Sequence, residues 1–230
     1  MGGDERTGST GSDRVEAASR IFLVRHGTTT MNVENRYRGR REIPLDAQGY
    51  QDAVDAARRL LSTDLSAVYT GPLRRTIATA QIIADASQVP DIRILHGLIN
   101  LDYGMWEGMT AEEAEIYAPQ AFEQYRLTPL ECVCPDGERL SQARQRMLDA
   151  VLLIGSRHRG ETVAAVTHAV MIRLLLTAFQ HLEGEQWRMS VARGSLTEVL
   201  VDGSRVSFVG PVGAGGSNEV LRNLPASRAS

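Results

Sequence analysis

The sequence predicts an α/β protein, a three-layer α/β/α sandwich around a mainly parallel central sheet. Short apolar runs, Ile21-Phe22-Leu23-Val24, Leu65-Ser66-Ala67-Val68-Tyr69-Thr70 and Thr162-Val163-Ala164-Ala165-Val166, alternate with stretches of helical period. Two of these runs end in a histidine, His26 and His168, at the strand edge where open α/β sheets bind ligands. With 230 residues, 43% of them hydrophobic, the chain can bury one substantial core, so a single domain with trimmings is expected.

Residues 1–19 are rich in Gly, Ser, Thr and charge and lack an apolar period, which predicts a disordered leader before a folded domain over residues 20–210. The first strand runs into Arg25-His26-Gly27. Arg25 offers a permanently charged fork for a phosphate or carboxylate, and Gly27 would let the backbone approach a bound anion. The arginine-dense loop from Asn35 to Arg41 follows, next to that strand end, where it would attract an anionic substrate. Asp46 is the expected N-cap of an amphipathic helix through Ala53, Val54, Ala57, Leu60 and Leu61.

The second strand closes at Gly71-Pro72, and Pro72 is expected in the first turn of a helix that also holds Arg74 and Arg75. A guanidinium at a helix N-terminus opposes the helix dipole unless an anion lies there too. A short strand is expected at residues 92–95. Helices are expected near Ala111, at about residues 120–127 and at about residues 138–156. The strand ending at His168 feeds an apolar helix over residues 169–179. Leu196 to Val201 and Arg205 to Val209 predict a hairpin around Asp202-Gly203. Residues 211–230 read as a flexible tail.

Composition excludes several kinds of chemistry. The chain has no lysine, so its 25 basic residues are all arginine. That removes Schiff-base and pyridoxal enzymes, phosphate-loop NTPases and kinase-like sites. The net charge of −3 argues against general nucleic-acid binding. No apolar run approaches a membrane span and no signal peptide is evident, so a cytoplasmic protein without a membrane partner is expected. Cys132 and Cys134 read as reduced thiols, since a bridge between such close neighbours would be strained.

Of the five histidines, His96 and His158 lie in polar loop sequence and His181 at a helix end. His26 and His168 alone terminate apolar strands immediately before helix starts. If those strands are neighbours, both imidazoles open onto one pocket with Arg25, Arg75 and Asn32, a set suited to a tetrahedral dianion. Paired histidines also suit a metal, but first-shell arginines would repel a cation, and no metal is expected.

The ordered set Arg25-His26-Gly27 with Asn32, Arg36-Tyr37-Arg38-Gly39, Pro44-Leu45 with Gly49, Pro72-Leu73-Arg74-Arg75 with Thr79-Ala80, Tyr103-Gly104 with Trp106-Glu107-Gly108, Asp136-Gly137-Glu138, and Thr167-His168 with Ile172-Arg173 resembles the histidine phosphatase superfamily, the branched group that includes phosphoglycerate mutases and many small-molecule phosphatases. The likeness covers residues 21–209 and implies a phosphoglycerate mutase-like fold. It implies His26 as a nucleophile forming a phosphohistidine, with Arg25, Arg75, Asn32, His168 and the amide of Ala169 holding phosphate. Arg38, Gly39 and Tyr103 fall at substrate-side positions. The chain between Gly104 and Gly137 is short for a glycolytic mutase, which points to the phosphatase branch. No cofactor is implied.

One departure stands out. Four residues before Gly104, where relatives carry the acidic general acid and base, this chain has Asn100. Asparagine cannot deliver a proton to a leaving alkoxide, and Asp102, on the same face of an extended backbone, is the nearest substitute, with Glu107 second. Ala169 replaces a frequent glycine. The expectation is therefore a phosphohistidine-forming phosphatase of a small phosphorylated metabolite with altered acid-base chemistry. The alternatives are a non-catalytic phosphoryl-ligand binder and a repurposed member with a non-hydrolytic reaction in specialised metabolism. Arg36, Arg38, Arg40 and Arg41 suggest a second anionic group on the substrate. Oligomeric state stays open, a homodimer included.

Overall fold

The computed structural model describes residues 18–32, 35–179, 182 and 184–211, without the side chain of Asn32. The expected leader over residues 1–17, the tail from residue 212 and His181 lie outside the described residues. β1 (Ser19–Arg25) is followed by α1 (Ala47–Leu60), β2 (Leu65–Thr70), α2 (Arg74–Ala86) and β3 (Ile92–Ile94). Then come α3 (Ala111–Tyr117), α4 (Pro119–Leu127), α5 (Leu140–Arg157), β4 (Thr162–Thr167), α6 (Ala169–Leu176) and the pair β5 (Leu196–Asp202) and β6 (Arg205–Pro211). β1 takes in Ser19 and β6 takes in Pro211, each one residue beyond the expected domain limits.

The six strands are ordered β3-β2-β4-β1-β5-β6, with the first four parallel and β5 and β6 antiparallel. Alternation along β1 builds the three layers, because successive side chains of a strand point to opposite faces. Phe22 and Val24 pack with Ala56, Leu60, Ala80 and Ile83 of α1 and α2. Ile21 and Leu23 pack on the opposite face with Met147, Val151 and Ile154 of α5 and Met171, Leu174 and Leu175 of α6.

Local signals mark most element ends. The Asp46 carboxylate accepts the Gly49 amide at 2.8 Å and caps α1. Thr110 and Glu113 form a reciprocal capping box on α3. Gly203 adopts φ +59 in the β5–β6 hairpin. Pro72 departs from expectation: α2 begins at Arg74 with Leu73 as an extended N-cap, so the proline lies before the first turn. The N-terminal half of α2 is instead tied down by Thr76, whose hydroxyl donates to the Gly71 and Leu73 carbonyls at 2.9 and 2.8 Å.

Candidate active site

β1 and β4 are direct neighbours, with Arg25 opposite Thr167 in the register. The residue after each strand is a histidine, and the His26 amide donates to the Thr167 carbonyl at 3.1 Å. The two imidazoles therefore meet, their centroids 5.0 Å apart and their planes at 63°. Both rings are 2% exposed and both line a cavity of about 410 Å³.

His26 Nδ1 lies 2.6 Å from the Gly27 carbonyl oxygen. A carbonyl can only accept, so Nδ1 carries the hydrogen and Nε2 keeps its lone pair. Burial holds the pKa of His26 well below the ordinary histidine value, reinforced by the charges of Arg75, Arg25 and Arg38. Burial does the same to His168, with Arg75 the next influence. Both rings are consequently neutral at pH 7. His168 caps the N-terminus of α6 in extended conformation, and its two ring nitrogens have no partner. Ala169 and Val170, the first residues of that helix, also line the cavity.

Arg25 lines the cavity, with Nη1 donating to the Val191 carbonyl and Nε left without a partner. Burial and the neighbouring charges of Arg38, Arg193 and Arg173 push its pKa down to about 9, so it stays charged at pH 7. Arg75 is fully buried and does not line the cavity, although its charge acts on both histidines. Its Nη1 and Nη2 donate to the Arg41 and Gly39 carbonyls at 2.7 and 2.8 Å, leaving Nε unpaired.

Asn100 lines the cavity and is 6% exposed. Its Nδ2 donates to the Gly39 carbonyl at 2.9 Å, which orients Oδ1 away from that oxygen and without a partner. Arg146 fixes the backbone around it, donating to the Gly97, Ile99 and Asn100 carbonyls at 2.9, 2.7 and 3.0 Å while Glu138 holds its guanidinium.

Nine buried side-chain polar atoms lack a partner among the described residues, and six belong to Arg25, Arg75, Asn100, His168 and Arg173. Buried polar groups are ordinarily satisfied. Their concentration here marks a place where a polar ligand completes the hydrogen bonding.

Several expectations need correction. Asp102 does not line the cavity: its carboxylate accepts from Arg40 at 3.2 Å and from the Gly104 amide at 3.0 Å, so it has no geometric claim on the acid role. Glu107 likewise accepts the Arg40 amide at 2.7 Å and lies 3.7 Å from Arg41. Gly39 does not face the substrate side. It serves behind the cavity as the acceptor for Arg75 and Asn100, at φ +51, where a Cβ would overlap the Glu107 carboxylate. Gly27 approaches protein instead of an anion: a Cβ would stand 2.1 Å from the Gly49 carbonyl oxygen, and its amide donates to Thr79 at 3.3 Å.

The arginine loop divides. Arg38 and Arg36 line the cavity, whereas Arg40 pairs with Asp102 and Glu138, and Arg41 with Glu107. Tyr103 lines the cavity as expected, its hydroxyl 3.1 Å from that of Tyr125. Tyr125, Arg188 and Arg193 also line it and were not anticipated; Arg173 was expected only as part of a motif. Arg193 lies three residues before Leu196, which pairs with Val24 near the end of β1. No sequence pattern announced that pairing.

The chain matches the model of the histidine phosphatase superfamily (branch 1) over residues 21–211. It belongs to that family. It is 31% identical over 159 residues to phosphoserine phosphatase 1 of Hydrogenobacter thermophilus, covering 69% of this chain and 75% of that one. It is 32% identical over 157 residues to the metal-independent phosphoserine phosphatase of Arabidopsis thaliana, covering 67% and 66%. Among solved structures, Bacillus stearothermophilus YhfR superposes with a TM-score of 0.75 at 34% identity, over 87% of this chain and 98% of that one. A phosphoglycerate mutase from Bacillus anthracis, 18% identical, shares the fold of this histidine phosphatase with a TM-score of 0.75 over 85% of this chain and 93% of that one.

Proposed function

We propose that this histidine phosphatase hydrolyses a small phosphorylated metabolite through a phosphohistidine at His26, with no carboxylic acid to protonate the leaving group. The pairing of His26 with His168 carries the reading. A neutral imidazole with Nδ1 tied to the Gly27 carbonyl presents Nε2 as a nucleophile, among unpaired donors suited to a phosphoryl group. The relatives named as phosphoserine phosphatases support phosphomonoester hydrolysis on a small substrate.

In the first half-reaction His26 Nε2 attacks phosphorus and the bond to the leaving oxygen breaks with its electron pair on that oxygen, while the equatorial oxygens take hydrogen bonds from Arg25, His168 and the α6 amides. In the second, water attacks the phosphohistidine and returns the electron pair to Nε2. Asn100 stands where relatives hold the acid. General acid help is worth about 10²–10⁴-fold, and its loss falls most heavily on poor leaving groups such as alkoxides.

The test is intact-protein mass spectrometry after mixing with an aryl phosphate and quenching in alkali, where phosphohistidine survives. The expected result is one added phosphoryl group on wild type and none on His26→Asn. Absence of both label and phosphate release from wild type would overturn the reading in favour of ligand binding without turnover.

A further inference from the structure

The cavity is cationic and its lining has no carboxylate. Arg38, Arg173, Arg188 and Arg193 all line it, and no aspartate or glutamate does among the described residues. The side chains of Arg38, Arg173 and Arg193 have no hydrogen-bond or ion-pair partner among the described residues, and Arg173 Nε is buried. Arg188 has only Glu185, at 3.8 Å. Unpaired guanidinium groups held close together repel one another, and an anion of more than one charge relieves that repulsion.

A second observation concerns the proton. The leaving atom departs from phosphorus on the side away from His26, and Asn100 supplies no acid there. Tyr37, Tyr103 and Tyr125 carry the hydroxyl groups of the lining among the described residues, and burial pushes each phenol further up from its ordinary pKa. The preferred leaving group is therefore one that departs without a proton.

These two requirements meet in one bond type. Resting on the phosphohistidine reading above, we infer that the preferred substrate is an organic diphosphate, cleaved at the phosphoanhydride so that an organic monophosphate leaves. A phosphate monoester has a second pKa of about 6, far below that of water, which stands for an alcohol. The monophosphate therefore leaves as a dianion, and that dianion is what Arg38, Arg173, Arg188 and Arg193 bind.

The step balances without an acid. The Nε2–P bond forms, the bond from the bridging oxygen to the terminal phosphorus breaks, and the electron pair stays on that oxygen. Water then attacks the phosphohistidine, the N–P bond breaks towards Nε2, and both water hydrogens leave on the phosphate. The Nδ1 hydrogen stays on Nδ1 throughout, donated to the Gly27 carbonyl oxygen. An acyl phosphate also has an acidic leaving group, but its carboxylate carries one charge and leaves most of the arginines unmatched.

The experiment compares kcat/KM of wild type for ethyl diphosphate, ethyl phosphate, acetyl phosphate and p-nitrophenyl phosphate, with Arg38→Gln and Arg173→Gln tested alongside. The diphosphate is expected to exceed ethyl phosphate by at least about 10²-fold and to exceed acetyl phosphate. Each arginine variant is expected to lower the ratio of diphosphate to p-nitrophenyl phosphate turnover by about tenfold. Cleavage of p-nitrophenyl phosphate with diphosphate no better than ethyl phosphate, or with acetyl phosphate preferred, overturns the anhydride assignment and leaves the phosphatase reading standing. An unchanged ratio in both variants also overturns it. No turnover of any ester together with an unlabelled His26 overturns the phosphatase reading itself.

Discussion

Asn100 Nδ2 and Arg75 Nη2 donate to the same oxygen, the Gly39 carbonyl, at 2.9 and 2.8 Å. This shared acceptor holds the amide at the cavity wall and the guanidinium in the buried interior beside it. It also fixes which end of Asn100 faces the ligand. An aspartic acid of the same shape would meet that carbonyl, and a carboxyl group facing a carbonyl favours its protonated form.

Restoring the acid is accordingly expected to widen the substrate range. Asn100→Asp should raise kcat/KM for an alkyl phosphate by about tenfold or more and change aryl phosphate turnover little, in line with the worth of general acid help. Steady-state kinetics on the two esters checks it, and equal effects on both would disconnect residue 100 from leaving-group protonation.

The two histidines also set a pH dependence. Their pKa values in the folded protein lie below the ordinary value of about 6.5, so the unfolded chain binds protons that the native one does not. Stability therefore falls as pH drops below about 6.5 and continues to fall towards the folded-state values. Thermal midpoints measured from pH 7 to pH 5 should fall for wild type and fall less steeply for His168→Gln. Parallel curves would show that His168 does not titrate in this way.

An oxyanion should stabilise the fold. Vanadate or phosphate at about 100 times its Kd is expected to add roughly 2.7 kcal/mol, and Arg25→Gln should weaken that gain at equal ligand concentration. Thermal denaturation with and without the anion reads both effects.

Gly27→Ala tests the packing behind the nucleophile. The added methyl group meets the Gly49 backbone at 2.1 Å, where nothing flexible can give way. A loss of about 1–3 kcal/mol in urea unfolding is expected, with poorer phosphoenzyme formation because His26 is the adjacent residue.

Arg146→Met should be costlier. It removes the Arg146 donor from the Gly97, Ile99 and Asn100 carbonyls and leaves Glu138 with the 3.3 Å contacts to Arg40 and the Asp102 amide. Breaking such a pair costs about 3–5 kcal/mol. Urea unfolding checks this, and a larger fall in kcat than in anion affinity would show that the loop bearing Asn100 has moved.

The sequence by itself determined the parts governed by nearest neighbours along the chain. The continuous burial of Ile21 to Val24 in β1, the Asp46 cap, the β5–β6 hairpin and the delivery of His26 and His168 to strand ends all follow from local pattern and capping chemistry. The meeting of the two histidines needed one further fact, that β1 lies beside β4, which strand order decides. The fate of the long polar side chains was decided only by tertiary structure. A guanidinium on a flexible stem can be satisfied by whatever acceptor the fold brings within reach. Arg40 and Arg41, close in sequence to Arg38, were thus claimed by Asp102, Glu138 and Glu107, while Arg188 and Arg193 from a later segment line the cavity. The same physics settled Asp102, whose carboxylate met Arg40 and a backbone amide before it could face a substrate.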